Sequence, residues 1–228
     1  MSASDKIPSM PNTSSLPSTP GYHDLIVDVD GAPIAVTLHL PATPRAAPLV
    51  MALHYGGPPV GYYGRGLLEQ LIVPAWQTLN AVFVAPVSQG GEWQSPANSR
   101  AVRGLLQRIE AHYATAERAR YLVGYSLGAI GCWYFLQQTD LAFAAAVPIA
   151  GQIPDSLVTF TTPTHVLHSN GDRLFPSETL QPRLETLRAN QCPLAFKVLE
   201  GIDHFNVSGY LPALRELLAW LPACPPRN

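Results

Sequence analysis

At 228 residues the chain is long enough for one domain with a substantial core, and it reads as one domain rather than two small ones. A formal net charge of -2, on a chain only 13% charged, gives no basic footprint for nucleic acid and no acidic tail. No apolar stretch approaches the roughly 18 residues of a membrane span, and "MSASDKIPSMPNTSSLPSTPG" lacks the apolar middle of a secretory signal. A soluble, cytoplasmic protein is expected, with secretion left open. Cys132, Cys192 and Cys224 match no metal spacing and read as small apolar filler, and a pairing of Cys192 with Cys224 in an oxidising compartment stays open.

In chain order, residues 1–20 are rich in Ser and Pro and poor in large apolar groups, so they are expected to form a mobile tail. A single domain over 21–222 follows, and 223–228 form a short C-terminal tail. From Tyr22, "HDLIVDV" and "PIAVTLHL" flank "DGA", which predicts an antiparallel hairpin on an Asp-Gly turn. Short, continuous apolar runs come next: "LVMALH" (49–54), "AVFVAP" (81–86), "RYLVGY" (120–125), "AAAVPIA" (144–150), "THVLHS" (164–169) and "AFKVLEG" (195–201). Runs that do not alternate are expected of strands covered on both faces.

Helical patterns separate them: "GLLEQLIVPAWQTL", "SRAVRGLLQRIEAHY", "LGAIGCWYFLQQ", "SETLQPRLETLRAN" and finally "YLPALRELLAWL". Pro74, Pro182 and Pro212 should kink or begin their helices. The alternation predicts an α/β fold: a mostly parallel central sheet, an N-terminal antiparallel hairpin and helices on both faces. Between residues 150 and 163 no helix is evident, so no large cap domain is expected.

In open parallel sheets chemistry gathers at the carboxyl ends of the strands. At one such end stands "GYSLG" (Gly124 to Gly128), a G-x-S-x-G in which the glycines permit a strained turn that lifts the serine oxygen above the sheet. A serine hydroxyl is a weak nucleophile until an imidazole takes its proton and a carboxylate holds that imidazole in the right tautomer. "HSNGDRLFP" offers Asp172 after one predicted strand, and "LEGIDHF" offers His204 after the next.

With "LHYGG", "GYSLG", "HSNGDRLFP" and "GIDHF" in this order, the chain from about Tyr22 to Leu221 resembles an α/β-hydrolase. It is similar to the compact, uncapped serine esterases grouped with dienelactone hydrolases, carboxylesterases and predicted peptidases. The resemblance implies Ser126 as nucleophile, Asp172 as acid and His204 as base. Dienelactone hydrolases proper use a cysteine nucleophile, and Ser126 argues against that activity.

Asp155, after the preceding strand, is the alternative acid; His54 and His168 read as residues bracing loops. Asp203 adjoins the base and is expected to point elsewhere. An oxyanion site is expected from the backbone N–H of Leu127 and from the loop after the first core strand, at Tyr55 with Gly56 close behind. The segments "GGPPVGYYGRG" and "SQGGEWQSPAN" should lie over the site and bring Tyr62, Tyr63, Trp93 and Gln94 as substrate-binding candidates, Trp93 being equally a packing anchor.

The expected activity is hydrolysis of small or medium soluble carboxylic esters. Peptidase or amidase action on the same triad, and a non-catalytic binding module, are the alternatives. No metal or organic cofactor is called for, the expected partner is a small-molecule ester, and oligomeric state stays open.

Overall fold

The computed structural model describes residues 15–57, 61–115 and 119–221. The hairpin forms from β1 (Gly21–Val29) and β2 (Ala32–Leu40), paired antiparallel with Val29 opposite Ala32. Asp30 and Gly31 make the two-residue turn at φ 53° and 82°, the left-handed geometry that matches strand twist. The remaining strands are β3 (Leu49–Leu53), β4 (Val82–Pro86), β5 (Arg120–Tyr125), β6 (Ala145–Ile149), β7 (Thr164–Ser169) and β8 (Leu194–Leu199). All eight join one sheet in the order β1-β2-β4-β3-β5-β6-β7-β8. β2 runs antiparallel to β4, and from β4 to β8 every pair is parallel.

The unbroken apolar strands serve two cores at once. Leu49, Met51 and Leu53 of β3 enter one cluster with α3 (Pro96–Tyr113), α4 (Leu127–Leu136) and α5 (Gln181–Ala189). Val50 and Ala52 enter the other. That second core is closed by α1 (Gly64–Leu67), α2 (Val73–Trp76) and α6 (Leu211–Glu216), with Trp76 Nε1 donating to the Leu214 carbonyl at 2.8 Å. Strands β3 to β7 are almost wholly buried, as expected of strands covered on both faces, whereas β8 at the sheet edge departs from that expectation: none of its residues is buried and Val198 is 42% exposed.

Proline and serine set the helix details. Pro74 lacks the N–H that would bond to Gln70, and the chain takes a π turn over Leu68–Ile72 just before it. Pro182 and Pro212 stand at the starts of α5 and α6. The sequence pattern begins α3 at Ser99, but the helix starts three residues earlier. Ser95 Oγ caps it by accepting from the Asn98 N–H at 3.1 Å, and Pro96 occupies the first turn, where no N–H is needed.

β6 passes to β7 without a helix; instead Ile153, Leu157 and Phe160 bury themselves in the α4–α5 core, Phe160 with its ring 5.7 Å from that of Trp133. Arg183 of α5 donates to the Leu157 carbonyl at 2.5 Å, so this loop is pinned where a cap would otherwise be inserted. Of the tail expected over 1–20, residues 1–14 lie outside the described residues. Leu16 packs on the core, and the Tyr113 hydroxyl donates to the Pro17 carbonyl at 2.6 Å. The C-terminal tail 223–228, with Cys224, also lies outside them, while Cys192 is buried near Thr159. Among the described residues no helix is long and apolar enough to cross a membrane.

Candidate active site

Ser126 joins β5 directly to α4 and holds φ 55°, ψ -115°, a conformation in which a residue with a Cβ is strained. Its neighbours explain why the turn can be so tight. A Cβ on Gly128 would lie 1.9 Å from the Leu53 carbonyl oxygen, and one on Gly124 would lie 2.1 Å from that of Gly128. Only glycine at both places lets α4 start against β3 and β5. The Ser126 N–H is fixed to the Ile149 carbonyl at 2.9 Å, and the Leu127 N–H begins a helix, where it has no partner within the helix.

Asp172 lies buried in the turn after β7. One carboxylate oxygen accepts from the N–H groups of Leu174 and Phe175, both at 2.9 Å; the other accepts from His204 Nδ1 at 2.7 Å. An acceptor-only carboxylate assigns the imidazole proton to Nδ1, leaving Nε2 free to accept from the Ser126 hydroxyl, 3.0 Å away. Hydroxyl, imidazole and carboxylate thus form one buried line of hydrogen bonds. Such a line can move the Ser126 proton to His204 while Asp172 stabilises the imidazolium.

Side chains from each loop hold the others in place. Ser169 Oγ accepts from the N–H groups of Gly171 at 3.0 Å and Ile202 at 2.9 Å, and Asn170 Oδ1 accepts from Gly201 at 2.8 Å, joining the Asp172 and His204 loops. The buried Tyr125 hydroxyl donates to the His204 carbonyl at 2.8 Å, joining the His204 loop to the Ser126 turn. Burial pushes the Tyr125 phenol far above its usual range, so it acts only as a neutral donor.

Over Ser126 opens a cavity of about 560 Å³, walled by Tyr55, Tyr63, Leu127, Leu174, Phe175 and Phe205. A second lobe of about 530 Å³ shares Tyr55, Gly56, Tyr63 and Leu127 with it and extends to Ser88 and Glu92.

No family model and no curated protein matches the sequence. Solved structures do match its shape. A thermostable esterase superposes with a TM-score of 0.71 at 21% identity over 90% of this chain, and an α/β serine hydrolase without lid from Xanthomonas campestris with 0.68 at 19% over 92%. An acylaminoacyl peptidase from Pyrococcus horikoshii gives 0.70 at 11% over 92%. The chain spans all of the lidless hydrolase, but 63% of the esterase and 43% of the peptidase. Its fold is that of the α/β hydrolases.

Within this α/β-hydrolase fold the expected oxyanion residues stand beside Ser126. Tyr55, Gly56 and Leu127 line its cavity, and a Cβ on Gly56 would lie 2.6 Å from Leu127 Cδ1, so the Leu127 side chain packs directly on the Gly56 backbone. Of the substrate-binding candidates, Tyr63 lines the cavity and its hydroxyl donates to the Gly56 carbonyl at 3.0 Å. Trp93 corrects the pocket-lining expectation. It is 2% exposed, donates from Nε1 to the His54 carbonyl at 2.9 Å and packs against Gly131, where a Cβ would meet it at 2.6 Å. Gln94 is exposed and Tyr62 half-buried near Asp24; neither is among the residues lining the cavity. Pro58, Pro59 and Val60 of the same loop lie outside the described residues.

The competing groups have other duties. His54 donates from Nδ1 to the Tyr55 carbonyl at 2.7 Å and accepts from the Ser88 N–H at 3.0 Å, while burial lowers its pKa. His168 donates to the Phe175 carbonyl at 2.6 Å, and burial lowers its pKa as well. Both are neutral braces near pH 7. Asp155 is 99% exposed, with Arg183 3.7 Å away, and Asp203 caps a local turn by accepting from the Phe205 N–H at 3.0 Å.

Sequence reasoning missed Gln70, Leu174, Phe175, Phe205 and Val207 in the cavity wall. The one signal for four of them was adjacency: they follow Asp172 and His204 within three residues.

Proposed function

We propose that the protein is a serine hydrolase that cleaves carboxylic esters of small or medium size. The observation that carries this reading is the Ser126–His204–Asp172 line, at 3.0 and 2.7 Å, buried at the carboxyl ends of parallel strands beside an open cavity. Ser126 Oγ attacks the acyl carbon while its proton passes to His204 Nε2. The carbonyl oxygen, now negative, takes hydrogen bonds from the N–H groups of Leu127 and Tyr55, with Gly56 adjacent. His204 returns the proton to the departing alkoxide, and the alcohol leaves an acyl-Ser126 ester. Water, deprotonated by His204, then attacks that ester, and Ser126 and a carboxylic acid are released. The esterases and serine hydrolase among the structural neighbours support the assignment by analogy of fold.

A fluorophosphonate probe is expected to label Ser126 alone, as read by peptide mass spectrometry. Short p-nitrophenyl esters should turn over much faster than the matched anilides, whose leaving group demands fuller protonation. Anilide turnover at a similar rate would reassign the protein to the peptidases, and failure to label Ser126 would remove the catalytic reading.

The bond from Tyr125 to the His204 carbonyl gives a subtler expectation. Phenylalanine fills the same volume but releases the base loop, so Tyr125→Phe should lower kcat roughly tenfold with KM nearly unchanged. A variant with unaltered kcat and a lower melting temperature would reduce that bond to packing alone.

A further inference from the structure

Single apolar side chains on a surface are ordinary, but several that meet in one exposed patch at a cavity mark a surface that something covers in use. Among the described residues four stand out as exposed: Val158, Leu174, Val198 and Phe205. Two of these, Leu174 at 54% and Phe205 at 81%, belong to the cavity over Ser126. They arrive from different loops, one two residues after Asp172 and the other directly after His204. The same hydrogen bonds that hold those two residues therefore fix the apolar pair at the cavity mouth. Deeper in, Phe175 and Val207 continue the surface, and the rings of Phe175 and Phe205 each stand 5.4 Å from the His204 imidazole, edge to face.

Apart from the serine and imidazole, the polar groups of this wall are the phenols of Tyr55, Tyr63 and Tyr125 and the amide of Gln70. No Lys, Arg, Asp or Glu is among its described lining residues. A charged substrate group would lose hydration here and gain no counter-ion. An apolar one would cover Phe205 and Leu174, removing its own surface and theirs from water.

We propose that Leu174, Phe175, Phe205 and Val207 form the subsite for an uncharged apolar portion of the substrate, an aromatic ring or a medium-length aliphatic chain, and so set specificity. The inference rests on the ester-hydrolase reading and narrows it. Its occupant is part of a small ester because these four side chains line the same cavity as Ser126 and His204.

The test uses the full chain and two series of esters. In one, p-nitrophenyl acetate, butyrate and hexanoate vary the acyl part; in the other, acetates of methanol, butanol and benzyl alcohol vary the alcohol. In at least one series kcat/KM is expected to climb about fourfold per added methylene until the cavity is filled. An ester of matched length ending in a carboxylate should fall about a hundredfold below its neutral counterpart. In the double variant Leu174→Ser, Phe205→Ser the long-to-short ratio in the responding series should drop about tenfold. Both side chains are exposed, so the melting temperature should move little.

Flat responses in both series, or an unchanged ratio in the double variant, would overturn the subsite. So would a dimer that the double variant dissociates while ester selectivity stays as it was, since the mouth would then be a contact between copies of the chain. Fluorophosphonate labelling of wild-type Ser126 separates the two levels. Labelling with flat responses removes only the subsite, whereas no labelling and no turnover removes the hydrolase reading beneath it.

Discussion

Ser126→Ala is expected to lower ester turnover by roughly 10⁴–10⁶ while the fold stays intact, as judged by an unchanged circular-dichroism spectrum and a melting temperature close to wild type. The two halves of that expectation have separate causes. Activity falls because the Oγ that would carry the acyl group is gone, and with it the group whose proton His204 Nε2 is placed to take. Stability persists because alanine meets the same backbone demand. The strain at φ 55° belongs to any residue with a Cβ, and the N–H bond to the Ile149 carbonyl involves no side chain. The residual rate should come from the backbone donors at Leu127 and Tyr55 acting on water attack. A loss below tenfold would mean that another nucleophile reaches the substrate. A parallel collapse of the fold would mean that the serine is a structural part of the turn.

The architecture was readable because its signals are local. Runs such as "LVMAL" bury side chains on both faces, and that need is written in their lack of polar alternation. The Ser126 turn was readable for a similar reason, since Gly124 and Gly128 each face a backbone carbonyl where no Cβ fits. Trp93 was not. Its place depends on α4 bringing Gly131 against the loop after β4, a contact between segments 38 residues apart whose outcome neither segment encodes alone. The apolar mouth escaped notice likewise. In sequence Leu174 and Phe205 are ordinary loop residues, and they become one surface only when β7 and β8 pair and set their following loops side by side. The π turn before Pro74 shows a middle case: the proline predicts a disturbance, but a kink and a widened turn are both ways to absorb it.

Asp172→Asn should cost about 10⁴ in kcat, and Asp155→Asn should leave kcat and KM at wild-type values. Asparagine matches aspartate in shape, so the fold should survive, but its amide reverses the hydrogen-bond logic. The Asp172 carboxylate accepts three N–H groups, from Leu174, Phe175 and His204 Nδ1. If the substituted amide keeps its oxygen toward the two backbone donors, its NH₂ faces Nδ1, which must then accept. The imidazole proton moves to Nε2, and the atom that should take the Ser126 proton already carries one. Asp155 offers no such leverage: it lies in solvent beside Arg183, on the loop that joins β6 to β7, and touches neither His204 nor Ser126. Steady-state kinetics of both variants on one p-nitrophenyl ester decides the matter. If Asp155→Asn proved the damaging change and Asp172→Asn the silent one, the acid would have to reach His204 from the other strand, and the hydrogen-bonded line described above would not be the working one.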